Sequence, residues 1–181
     1  MDQTALRSIP KPQPGEYAPY AEMYMRLLPD DGQVLAHLQE KALATRRFIL
    51  ALPEALLYHR YAPGKWSIKD ILVHLVDDER IYAYRALRFA RNEQQGLTGF
   101  DEKAYVHFAG ADARDLDSIL QEYEAVRRAT ITLFNGLPEE ALLRLGHGVG
   151  SATDATVRAM AYHIAGHERH HLAVIKERYL R

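Results

Sequence analysis

Four stretches of this chain place apolar side chains at the three- and four-residue spacing of an amphipathic helix, while β-branched residues are scattered and form no alternating runs. Four such stretches within 181 residues predict an all-α four-helix bundle. The first covers 31–52, with Val34, Leu35, Leu38, Ala42, Phe48, Ile49 and Leu52 on one face and Pro53 as its stop. After a loop containing Pro63-Gly64, the second opens at Ser67 as N-cap. Asp70, three residues on, completes a capping box, and Ile71, Leu75, Tyr82, Ala86 and Ala90 carry the apolar face to about Arg91. The third covers 115–135, with Leu116, Ile119, Leu120, Tyr123, Val126, Ala129 and Leu133 inward and Gly136 at its end. A turn-rich stretch over 146–150 precedes a Ser151-x-x-Asp154 start, and the fourth helix runs to about Arg178.

Two segments fall outside the bundle pattern. Residues 1–30 read as an extended arm: Pro10, Pro12 and Pro14 alternate with Lys11 and Gln13, and the arm is expected to pack on its own bundle, residues 31–181. At this length one bundle domain with an extension is the natural division. The connection 92–113 is long and aperiodic, yet it holds Phe100, Asp101, Tyr105, Val106, His107 and Phe108. It reads either as a folded rim beside a site or as a cover for one end of the core.

Charge and cysteine content then exclude several functions. Lys plus Arg number 23 against 24 Asp plus Glu, a formal −1, without the basic excess of a nucleic-acid or membrane-surface binder. With no cysteine there are no disulfides, thiolate ligands or cysteine nucleophiles. No apolar run approaches the roughly 20 residues of a membrane span, and the polar, proline-rich start lacks the apolar core of a signal peptide. The expected location is cytoplasmic.

Nine histidines are the unusual count, and His163, His167, His170 and His171 fall within nine residues. On a wheel at about 100° per residue, His171 lies about 40° and His167 about 80° from the centre of the face made by Val157, Met160, Ala161, Ile164, Leu172 and Ile175. His163 and His170 lie further round, at about 120° and 140°. Residues four apart stack on a helix surface, so His167 and His171 can put both imidazoles on one cation. His163 with His167 is a competing pair with a more outward direction, and the wheel favours the former. His167-Glu168-Arg169-His170-His171 also fits the H-E-x-x-H pattern of zinc peptidases. Only ten residues follow His171, and the Gly and His of the longer metzincin form are absent. A ferritin-like site fails too, because it needs two E-x-x-H pairs and only Glu168 with His171 forms one. A third ligand must come from another helix; His74 is the candidate, although the wheel puts it at the edge of its stripe, with Asp78 one turn on. Glu168 reads as a solvated or bridging residue.

The run Trp66-Ser67-Ile68-Lys69-Asp70-Ile71-Leu72-Val73-His74-Leu75, followed some ninety residues later by His167-x-x-x-His171, resembles the DinB/YfiT superfamily of four-helix-bundle metalloproteins. The resemblance implies one divalent metal ion on His74, His167 and His171, with open positions for water or substrate. An all-imidazole set suits nickel or zinc, with manganese or iron as alternatives. It further implies a small-molecule substrate, in some members a low-molecular-weight thiol, and a homodimer. Thiol transfer or hydrolysis is the expected chemistry, with Asp78 orienting His74 or accepting a proton; the alternative is a non-catalytic metal-binding, sensor or structural bundle.

Overall fold

The structure, a computed structural model, describes residues 5–150 and 153–180. The helices are α1 (Glu22–Met25), α2 (Val34–Leu50), α3 (Glu54–Leu57), α4 (Ile68–Ala90), α5 (Glu102–Phe108), α6 (Leu116–Asn135), α7 (Glu139–Leu142) and α8 (Val157–Arg178). Four two-residue strands, β1 (Leu97–Thr98), β2 (Leu145–Gly146), β3 (Gly148–Val149) and β4 (Ala155–Thr156), form two small ladders at one end, β1 parallel to β3 and β2 antiparallel to β4. The four long helices α2, α4, α6 and α8 make the predicted bundle, with α4 packed along both α6 and α8.

Local signals account for the element boundaries. The Ser67 hydroxyl accepts from the Asp70 amide at 3.0 Å, and Asp70 accepts from the Ser67 amide at 2.9 Å, so the predicted capping box opens α4. Asp115 caps α6, its carboxylate accepting from the Ser118 amide at 3.1 Å. The start of α8 differs from expectation. Ser151 lies outside the described residues, Asp154 instead accepts from the Gly148 amide, and Thr156 is the N-cap. The apolar run begins only at Val157, so the cap sits directly before it.

The proline-rich arm is stitched to the bundle. Ile9 is fully buried, its amide donates to the Gly32 carbonyl at 2.9 Å, and its carbonyl accepts from the Tyr162 hydroxyl at 2.8 Å. Further along, Glu16 takes Thr156 and Arg158 on its carboxylate, and α1 then lies across α8. Gly166 makes this crossing possible: a Cβ there would meet the Tyr24 carbonyl oxygen at 2.4 Å. The arm therefore covers the face of α8 that a bundle alone leaves to solvent.

The core has two apolar ends. Val34, Leu38, Phe89, Phe134 and Met160 belong to one, with Ile9 and Met25 from the arm; Ile49, Ile71, Leu72, Leu120 and Ile175 belong to the other. Between them lies a buried polar belt. The Arg127 guanidinium forks onto Glu79 (Nη2 to Oε2 2.8 Å) and donates to Glu168 at 2.9 Å and to the Leu38 carbonyl at 3.1 Å. Thr45 and Tyr123 donate to the other Glu168 oxygen. Glu168, read from sequence as solvated or bridging, is 1% exposed and bridges. Every polar atom of this carboxylate has a partner, which is what burial at mid-bundle demands.

Candidate metal centre

His74 projects from α4 and His167 and His171 from α8 into one point at the edge of the belt. The His167 Nε2 atom lies 3.1 Å from Nε2 of His74 and 3.1 Å from Nε2 of His171. One hydrogen bond can join two imidazoles, but a single ring N–H cannot serve three nitrogens. Nitrogens held about 2.1 Å from a common ion, roughly at right angles, lie about 3 Å apart. The donor set therefore fits a single divalent cation. Behind it Glu79 and Glu168 share the buried Arg127 guanidinium, while buried Asp78 has only histidines as ion-pair partners among the described residues, and the Arg85 guanidinium, buried as well, donates to the Thr98 carbonyl.

Burial decides the protonation of the three rings. Desolvation pushes His167 well below its ordinary value, lowers His74, and brings His171 down to about 3. Neutral imidazoles are the form that ligates a metal. Burial works against the Asp78 carboxylate, yet His167 and His163 beside it hold it ionised, below the usual carboxylate range. Its Oδ2 faces His167 Nδ1 at 3.2 Å. Asp78 thus stands behind His167, on the opposite side of that ring from the triad, rather than beside His74.

Two histidines differ from the wheel. His163, predicted to face outward, is 5% exposed. It stacks on Tyr82 with ring centroids 3.7 Å apart, and its Nε2 lies 3.3 Å from Asp78 Oδ2. The reason is the arm: α1 brings the Tyr24 ring edge-on to both His163 and His167. His167 is buried more deeply than His171, the reverse of the wheel's order, for the same reason. The usable sequence signal was the four-residue grid, Asp78 after His74 and His163 before His167, rather than the apolar face.

The triad opens on a cleft of about 870 Å³ in which His171 forms part of the wall. Trp66 covers His74 at 4.8 Å between centroids and stacks beside His171 at 6.2 Å. Its own carbonyl accepts from the Tyr179 hydroxyl at 2.6 Å, which fixes the backbone there. The opposite wall is the long connection, folded as expected. Asp101 caps α5, and Lys103, Val106 and His107 of that helix line the cleft. Phe108 does not: it is 84% exposed and faces away. Arg60 closes the rim through Asp70 and Asp112, at 2.8 and 2.9 Å.

No helix among the described residues is long and apolar enough to cross a membrane. No curated protein matches the sequence. Among solved structures the fold is similar to that of YfiT from Bacillus subtilis, with a TM-score of 0.74 at 18% identity, covering 82% of this chain and 85% of that one. That protein is described as a probable metal-dependent hydrolase with an unusual four-helix bundle topology. The profile of the DinB superfamily matches residues 34–175, which include the Trp66-to-His74 block and the histidines of α8; the chain belongs to the DinB superfamily.

Proposed function

We propose that the protein is a metal-dependent enzyme for hydrolysis of a small molecule or for transfer of a small thiol, with His74, His167 and His171 holding one divalent cation. The observation that carries this reading is the convergence of three Nε2 atoms, those of buried His74 and His167 and of half-buried His171, 3.1 Å from one to the next, with His171 in the wall of an open cleft. A structural site closes its coordination with a fourth protein ligand, whereas a catalytic one leaves positions for water or substrate. The side chain nearest to a fourth ligand, Asp78, faces Nδ1 of His167 rather than the shared Nε2 point.

When bound, the cation supplies Lewis acidity that brings a water or thiol to its nucleophilic form near neutral pH. The chain's own residues do the rest. Desolvation keeps the three imidazoles unprotonated. Asp78 acts through His167 as a positioning residue, its carboxylate 3.2 Å from Nδ1 favouring the ring orientation in which Nε2 joins the triad. Trp66 and Tyr61 give the cleft apolar walls, and Lys65 and Lys103 give it positive charge beside the Arg60 ion pairs with Asp70 and Asp112, a lining suited to a small acidic substrate. With no cysteine in the chain, any sulfur nucleophile is a small thiol from solution. The hydrolytic alternative has the support of the YfiT description.

The test is turnover of small thiols with electrophilic acceptors, alongside esters and amides, by metal-loaded protein with His171→Ala as control. Metal-dependent turnover that falls at least about 100-fold in the control is expected, the scale for losing an electrostatic stabiliser. A loaded protein that converts nothing and whose metal has no exchangeable water is a binding module instead.

A further inference from the structure

His74, His167 and His171 are one residue of α4 with an i,i+4 pair of α8. Moved one helical turn along both helices, the same grid picks out Asp78 with His163 and His167. This second set has not been given a role beyond orienting a ring. Its donor atoms, Asp78 Oδ2, His163 Nε2 and His167 Nδ1, lie within 4.8 Å of one another, and all three residues are buried. Two of the donors are unpartnered: neither Asp78 Oδ2 nor His163 Nε2 makes a hydrogen bond, although they face each other at 3.3 Å. Orphaned buried polar atoms carry a desolvation cost of about 1–3 kcal/mol each in the absence of a partner. His167 contributes a different ring nitrogen to each set, so filling both at once requires its remaining N–H proton to leave to solvent and the ring to bridge the two cations as an imidazolate.

We propose that Asp78, His163 and His167 form a second divalent-cation site, joined to the first through the His167 ring. Two imidazoles and one carboxylate are a donor set for manganese, ferrous iron or zinc. Tyr82 stacked on His163 holds that ring in plane, with the rings inclined by only 10°. The set also opens on a space of its own, a cavity of about 210 Å³ whose lining includes Tyr20, Tyr24, Glu102 and Arg85, the last turned to the Thr98 carbonyl, separate from the large cleft at His171. Water or the Glu102 carboxylate completes the coordination from that side.

This inference shares His167 with the proposed function but stands on different donor atoms, and metal counting separates the two. The full chain is loaded with Mn(II) or Zn(II), freed of excess metal, and its bound ions counted by native mass spectrometry and elemental analysis. Two ions per wild-type chain are expected, falling to one in His163→Gln and in Asp78→Asn, and to one in His74→Gln. The wild-type Mn(II) spectrum in electron paramagnetic resonance is expected to show spin coupling that the single-site variants lose. The count on wild type needs no variant to fold. One ion per wild-type chain that survives His163→Gln overturns the second site and leaves the triad intact. Two ions that survive both His163→Gln and Asp78→Asn overturn it as well. One ion that is lost in His163→Gln but kept in His171→Gln upholds this site and overturns the triad.

Discussion

Residues in the belt are placed where their chemistry costs stability. The unfolded chain protonates a histidine below about pH 6.5, but burial holds folded His171 neutral down to about 3. Between those values the unfolded state binds more protons, so stability is full above pH 6.5 and is lost as pH falls toward 3. His74 and His167, lowered by the same desolvation, add to the loss. Denaturant unfolding of the metal-free protein is expected to weaken by up to about 1.4 kcal/mol per pH unit for each such histidine. His171→Asn should flatten the curve, and an unchanged curve contradicts the burial argument. Arg127 makes a second case. Its loss in Arg127→Ala strands Glu79 and Glu168 without a counter-charge, and a destabilisation of about 3–5 kcal/mol is expected by urea titration. Arg127→Lys removes the fork onto Glu79 and should fall between the two. Neither this network nor the direction of His163 was legible residue by residue, because a partner on another helix is invisible to local spacing.

Helices α4 and α8 show why. From Ser67 to Val76 every residue of α4 and its cap is buried, and so is every residue of α8 from Ala159 to Glu168. A wheel assumes one inward face, and it fails for a helix enclosed on all sides. His74 looked marginal and His163 outward for that reason. Where a signal is local the sequence was sufficient: Ser67 and Asp70 marked the start of α4, and Asp115 the start of α6. The enclosure of α8 depends on α1 lying against Gly166. In Gly166→Ala the new methyl meets the Tyr24 backbone, so α1 must lift from α8. A loss of about 1–3 kcal/mol is expected, with faster hydrogen exchange confined to α1 and the adjoining turn of α8. Uniform exchange rates, with stability unchanged, contradict this role for the arm.

At the scale of the molecule, the bundle followed from four amphipathic stretches, and the histidines proposed as metal ligands were singled out by their resemblance to a family pattern. The split of the core into two apolar ends did not follow, because it arises only when Glu79, Arg127 and Glu168 meet from three helices. That belt gives the account its central claim, a cation held at mid-bundle between apolar ends and open to a cleft on one side. Anomalous diffraction from crystals loaded with zinc tests it most directly. The account predicts a peak bonded to Nε2 of His74, His167 and His171 together, at about 2.0–2.1 Å from each. A peak displaced from all three nitrogens, or none at this position in fully loaded crystals, would contradict it.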